Sequence, residues 1–253
     1  MRTKSMDDFL LEKFNEIEKI HWWWEGRREL IKGLLGGLEY KRILDVGCGT
    51  GETLSFLKTS FPKAELYGID TSQKAIQFSK KRGHKNIFKA NALNLPFKNG
   101  FFDVVLILDV IEHIEDDAGV VKEAARVLRK KGKIIITSPA LPFIWSGHDT
   151  NQGHERRYTR RRFRMLAKKA GLKVDFISYF NFLFSLPIIS MRLLSRLKPL
   201  RSLSNYDNSV NFDVAHVSLI NELLKFLFTS EVRMVKYFKY PLGISVVAKL
   251  SVP

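Results

Sequence analysis

From Lys41 to Ala140 the chain switches repeatedly between two hydrophobic periodicities, and that alternation limits its fold more than any other feature. "KRILDVGCG" is a short apolar run ended by glycines, and "GETLSFLKTSF" then takes helical spacing. "AELYGID" is a second strand. "TSQKAIQFSKKRG" is a helix with Ser72 as its N-cap and Gly83 as its stop. "NIFKANA" follows as a third strand. "FDVVLILDV" is apolar almost throughout, as a strand buried on both faces must be. "DDAGVVKEAARVLRKKG" has acids at its start and bases at its end, which suits the helix dipole and predicts a helix running to Gly132. "GKIIITSPA", "LKVDFISYF" and, far downstream, "PLGISVVAKL" complete seven strands. Strands alternating with helices predict an α/β fold: a mostly parallel sheet covered by helices on both faces.

Two additions flank this core. Residues 1–40 read as a helical cap containing "HWWWEGRRELI". Residues 41–180 form the core, with a lid loop near 146–158; 181–240 read as a helical insertion and 241–253 as the final strand. A chain of 253 residues with 45% hydrophobic content can build a core of this size, so disorder is excluded. A formal charge of +16 points to anionic partners without choosing among nucleic acid, a membrane surface and an acidic substrate. The single cysteine, Cys48, excludes an internal disulfide. The acids in "MRTKSMDDFLLEKF" interrupt any secretory core, and no apolar run reaches the roughly 18 residues of a spanning helix, so a cytoplasmic location is expected, with attachment to the inner membrane surface as a further option.

Gly47, Gly49 and Gly51 lie directly between a strand and a helix, where ligands bind in open α/β sheets. The spacing is G-x-G-x-G, and Glu52 stands where a dinucleotide fingerprint needs its third glycine. A carboxylate there repels a pyrophosphate, which disfavours a nicotinamide enzyme. No Gly-Lys-Ser/Thr follows, which disfavours a phosphate-binding P-loop.

Four separated motifs, "LDVGCGTGE", "YGIDTS", "ANALNLPFKNGFFDVVLILDVIEHI" and "LRKKGKIIITSPA", occur in order. Together they resemble the class I S-adenosylmethionine-dependent methyltransferases, nearest the small-molecule, type 11-like branch. The resemblance covers roughly residues 40–140 and implies a Rossmann-like sheet with S-adenosyl-L-methionine as cofactor. It assigns the methionine end of the cofactor to Asp45 and the loop Gly47, Cys48, Gly49 and Gly51. The ribose falls to Asp70, a carboxylate being an acceptor suited to a diol. Thr71 then lies beside the adenine, Asn91 and Ala92 touch its edge, and Leu108 and Asp109 flank the methionine part. Many relatives carry Asp at the position of Asn91.

The methyl donor is already activated, so the protein's task is alignment, with a base needed only where the acceptor must lose a proton. His113 and His154 are the candidate bases, taken ahead of Glu112, His148 and Asp149 at the same strand ends where substrate should lie, with Glu112 read as structural. No zinc-type cluster of Cys and His exists and no metal is expected. Trp23, Trp24, Arg27, His148, Arg156, Arg157 and Tyr158 are the candidate substrate and lid residues. Three consecutive tryptophans cannot share one face of a helix, and either Arg27 or Arg28 has the forked donor that suits the cofactor's carboxylate. "GHERRYT" resembles a recurring segment in this branch. Arg160, Arg161, Arg162 and Arg164 follow the N-cap Thr159 and oppose the helix dipole, so an anionic group nearby is expected.

The expected function is methyl transfer to a small-molecule, glycan or lipid-linked acceptor. RNA methylation and cofactor binding without catalysis are the alternatives, nucleic acid being less favoured because no RNA-binding module is visible. "FNFLFSLPIISMRLLSRLKPLRS" joins apolar residues to Arg192, Arg196, Lys198 and Arg201, a composition that suits a helical cap or contact with an anionic membrane surface.

Overall fold

The computed structural model describes residues 8–37, 39–194 and 218–253. Arg196, Lys198 and Arg201 lie outside the described residues. Two helices, α1 (Asp8–Ile17) and α2 (Trp22–Leu35), precede the first strand, β1 (Arg42–Val46). The alternation then runs through α3 (Glu52–Ser60), β2 (Glu65–Asp70), α4 (Gln73–Lys81), β3 (Asn86–Lys89), β4 (Phe102–Leu108), α5 (Asp117–Val127) and β5 (Leu128–Pro139). After β5 come a short helix α6 (Gly147–Asn151), α7 (Arg160–Lys169), β6 (Lys173–Phe180), α8 (Ser185–Leu194), α9 (Ser218–Met234) and β7 (Ser245–Ser251).

The seven strands form one sheet in the order β3-β2-β1-β4-β5-β7-β6. β7 runs antiparallel between β5 and β6; the other pairings are parallel. This is the predicted Rossmann-like sheet. All seven positions of β4 are buried, which explains its unbroken apolar sequence. Ser72 and Thr159 cap their helices as expected, accepting from Ala75 N and Arg162 N.

One boundary differs from the sequence reading. α5 ends at Val127, and "LRKKG" belongs to β5. Leu128 pairs with Phe102, so the basic run extends a strand rather than a helix end. Register with β4 overrides the helical charge pattern.

Helices α2 and α9 pack against each other with the Phe228 ring seated directly on Gly26. A Cβ on Gly26 would stand 2.2 Å from the Phe228 ring, so this position accepts only glycine. The three tryptophans divide as the geometry requires. Trp22 packs on Phe184 and Phe228, Trp24 on Phe14 and His21, and Trp23 lies under the Arg27 guanidinium, 4.9 Å from its ring centroid. Among the described residues no helix is long and apolar enough to cross a membrane.

Candidate functional site

The site forms where β1, β2, β4 and β5 end. After β1 the chain turns through Gly47, Gly49 and Gly51, with φ of 73°, 53° and 90°. Side chains other than glycine resist this left-handed region. Gly47 N and Cys48 N both donate to Ile69 O, at 2.8 and 2.9 Å, which ties the loop to β2. No atom lies within 4 Å of where a Cβ on Gly49 would be, so this face of the loop is open. The Cys48 thiol faces the other way, into an apolar cluster with Leu54, Ile76 and Ile87. Burial raises its pKa well above the ordinary range.

Asp70 ends β2. Its Oδ2 accepts from Gly49 N at 3.0 Å and its Oδ1 from Ser72 N at 2.8 Å. The carboxylate thus joins the glycine loop to the start of α4 and still keeps a free lone pair on each oxygen. Asp45 is buried in β1. Burial lifts its carboxyl to about 7 against the pull of Arg27, with Asp70 adding to the rise. Thr71 is exposed beside Asp70, and Ala92 is buried. Asn91 spends its side-chain oxygen on Leu93 N at 3.0 Å, which leaves its amide NH2 as the outward group.

Helix α2 supplies the side facing β4. Arg27 donates to Asp109 at 2.5 Å, and Asp109 itself takes left-handed backbone (φ 56°) after Leu108. Arg27 Nε is buried without a partner, so the fork has a donor to spare at the end of β4. Arg28 does not share this role. It donates to Glu18 O at 2.8 Å and Lys19 O at 3.3 Å, and so holds the end of α1. The Glu18 carboxylate accepts from the Thr50 hydroxyl and, at 2.8 Å, from Arg82, latching the N-terminal segment onto the glycine loop. Burial lifts Glu18 to about 7.

Across the opening, Glu112, His113 and His154 each bring a ligating or titrating atom within 4.8 Å of the others, close enough to share a proton or one cation. The two imidazoles meet edge to face, centroids 4.8 Å apart. Glu112 is buried and accepts from the Ser138 hydroxyl at 3.1 Å; burial first, then the Asp109 charge, raise its carboxyl well above the carboxylate range. Burial, and next the charge of His154, lower His113 to about 4. The sequence reading selected the two histidines but not Glu112, whose burial depends on the β4–β5 crossing.

Behind His154 lies Asp149, fully buried. Ser146 and Asp149 form a capping box at the start of α6. Asp149 also receives His154 Nδ1 at 3.1 Å, Arg157 Nε at 2.8 Å and Arg192 at 3.2 Å. These contacts outweigh burial and hold its carboxyl far below the ordinary value. Arg156 is bound to Ile114 O at 2.7 Å, and His148 is half-buried on α6.

Tyr158 corrects a sequence expectation. It is not a lid residue: it is wholly buried, stacked on Phe163, and its hydroxyl donates towards Ile111 O and Asp117, both at 3.1 Å. Asp117 also accepts from Arg162 Nε at 2.8 Å, which places an internal carboxylate at the basic start of α7. The period of "RRYTRRRF" cannot show which side of the chain faces the core before α7 docks on α5.

A methyltransferase-domain family matches residues 44–136. Among curated proteins, the chain is 31% identical to the demethylmenaquinone methyltransferase of Thermotoga maritima, over 43% of this chain and 48% of that one. It is 30% identical to the ubiquinone biosynthesis O-methyltransferase of Nitrosomonas europaea, over 53% and 63%. It is 34% identical to the 27-O-demethylrifamycin SV methyltransferase of Amycolatopsis mediterranei, over 44% and 45%. The chain thus spans about half to 63% of the length of these relatives. Among solved structures, a chain of the complex between the Haloferax volcanii Trm112 methyltransferase activator and a putative methyltransferase superposes with a TM-score of 0.64 at 15% identity, covering 97% of this chain and 95% of that one. The Haemonchus contortus phosphoethanolamine N-methyltransferase 2 bound to S-adenosyl-L-methionine superposes with 0.60 at 19% identity, over 90% and 52%. These likenesses share the fold.

Proposed function

From the premise that residues 44–136 are a class I S-adenosylmethionine-dependent methyltransferase domain, we propose that the chain transfers a methyl group to a hydroxyl of a small, largely apolar acceptor, free or lipid- or glycan-linked. The observation that carries the reading is one juxtaposition. Asp70 and the open glycine loop stand on one side of the strand ends, and the Glu112, His113 and His154 cluster stands on the other.

When bound, S-adenosyl-L-methionine supplies a methyl group activated on a sulfonium. The residues present fit it. Asp70 offers its free lone pairs to the ribose diol, and the loop Gly47–Gly51 lets the backbone approach closely. Asn91 and Ala92 border the adenine edge. Asp45, Leu108 and Asp109 border the methionine part, and the spare Arg27 donor takes its carboxylate while keeping Asp109. The Glu18–Thr50 contact ties the N-terminal segment to the glycine loop on this side. His154, backed by His113, receives the proton that leaves the acceptor hydroxyl.

An apolar acceptor is supported by the exposed Leu186, Met191 and Leu194 of α8 and the Leu219, Leu223 and Phe226 row of α9. The same surface, on a chain of net charge +16, suits peripheral contact with an anionic membrane. Co-sedimentation with vesicles with and without anionic lipid tests that contact, and binding indifferent to lipid ends it.

The deciding experiment supplies methyl-labelled cofactor to an extract divided into lipid, glycan, RNA, protein and small-molecule pools. Label in the lipid, glycan or small-molecule pool supports the reading. Label in RNA overturns the acceptor class, and cofactor binding without label in any pool overturns catalysis.

A further inference from the structure

His154 is a useful proton acceptor only if one ring nitrogen is bare, and the structure contains a device that decides which one. We propose that Asp149 is the positioning residue of the site: its buried carboxylate fixes His154 as the Nδ1–H tautomer with Nε2 bare, and Arg192 on α8 makes that arrangement depend on the docking of the cap. The proposal deepens the methyl-transfer reading and rests on it for the use made of His154; the tautomer itself stands apart from the reaction.

An ionised carboxylate can only accept hydrogen bonds. Asp149 Oδ1 lies 3.1 Å from His154 Nδ1, so in the neutral ring the proton must sit on Nδ1. The backbone reinforces the register, because His154 N donates to Asp149 O at 2.9 Å. The carboxylate stays ionised because two guanidiniums compensate it. Arg157 Nε reaches Oδ1 at 2.8 Å and Arg192 reaches Oδ2 at 3.2 Å, while Ser146 N donates to Oδ2 at 3.0 Å. Three segments of the chain therefore converge on one carboxylate: α6, the loop before α7, and α8.

The two arginines are not equivalent. Arg157 also donates to Ala140 O at 2.8 Å, at the end of β5, and so anchors Asp149 to the sheet. Arg192 also donates to Ile144 O at 3.3 Å and comes from α8, which is otherwise apolar and largely exposed. A shift of α8 is therefore felt at Asp149 Oδ2, and through Oδ1 at His154. The same carboxylate serves cap docking and imidazole orientation, so the seating of α8 and the readiness of the base are coupled.

The test is long-range proton–nitrogen NMR of the histidine rings in the full-length, chelator-washed protein at about pH 9, above the ordinary imidazole range. His154→Gln identifies the resonance. The wild type is expected to show His154 biased roughly tenfold or more towards Nδ1–H, as a charge-assisted hydrogen bond requires. Asp149→Asn should erase most of that bias while leaving His84 unmoved, and the milder Arg192→Gln should reduce it in a protein that still folds. A wild-type ring in the Nε2–H form, or an even mixture, overturns the proposal whatever the variants do. An Arg192→Gln spectrum identical to wild type overturns the link to α8. In the labelled-methyl assay, Asp149→Asn and His154→Gln should lower kcat by similar factors with KM little changed, and the double variant should be no worse than His154→Gln. Additive losses overturn the shared role. If no pool takes label, the methyl-transfer reading fails while the tautomer result still decides this one.

Discussion

Asp45 and Asp149 are both buried carboxylates, and the protein holds them in opposite states. Among the described residues no cation is hydrogen-bonded to Asp45 in β1, and burial lifts it to about 7 against the more distant pull of Arg27. Asp149 lies in the segment after β5 with two arginines and a histidine against it, and it stays ionised far below the usual range. The glycine-loop half of the site thus combines backbone turns and a carboxyl lifted by burial with the Arg27–Asp109 and Arg82–Glu18 pairs at its edges. The acceptor half is an ionic lattice assembled from distant segments. A carboxylate without contacts becomes a proton store; a carboxylate with several becomes a fixed strut.

The sharpest way to break this contrast is Asp149→Ala. Removing the acid leaves the buried Arg157 guanidinium without its anion and takes one contact from Arg192, and a loss of about 3–5 kcal/mol in urea unfolding is expected. A loss no larger than that of Asp45→Asn would erase the distinction. Next in size is Asp70→Ala. Loss of its charge-assisted contacts should weaken S-adenosyl-L-methionine binding roughly 10- to 100-fold by calorimetry while the fold survives. Unchanged affinity would remove Asp70 from the cofactor site.

The two acids should also give opposite pH dependences. Asp45 has a folded pKa near 7 against 3.8 for the ordinary group, so the folded state holds the extra proton between these values. Its contribution is present at low pH and lost as pH rises towards 7, by roughly 1–3 kcal/mol. Glu18 acts in the same direction. Asp149 is depressed, so its contribution is present above the ordinary carboxylate value and is lost as pH falls below it. Urea midpoints at about pH 5 and pH 8 should fall with pH in the wild type and fall less in Asp45→Asn. Equal slopes would contradict the assignment. The smallest effect belongs to the exposed row of α9: Leu223→Ser should change stability by no more than about 0.5 kcal/mol, so a larger change in vesicle binding would report use of the surface rather than folding.

The turn around the glycine loop was legible in the sequence because its signals are local, whereas its cofactor roles came from the family resemblance. Three glycines between a strand and a helix, a capping serine and an acid at a strand end each act within a few residues. The acceptor half was legible only in part. His113 and His154 were selected by their places after β4 and β5. Arg28, an alternative to Arg27 for the cofactor's carboxylate, and Tyr158, a lid candidate, are both internal struts. Glu112 and Asp149 stood among the strand-end acids, and the S-x-x-D spacing of Ser146 and Asp149 marks a helix start, but nothing local shows that either acid is buried.

The sequence by itself therefore determined the layered α/β sheet, the turn that opens the glycine loop and the acid beside it, because periodicity and backbone preference act between neighbours. Only the tertiary structure decided which charges are compensated. Whether an aspartate is lifted by burial or pinned by arginines depends on groups that meet across the fold, such as Arg192 of α8 on Asp149 or Arg27 of α2 on Asp109. Coulomb energy and desolvation follow distance in space, and the order of residues along the chain does not contain that distance.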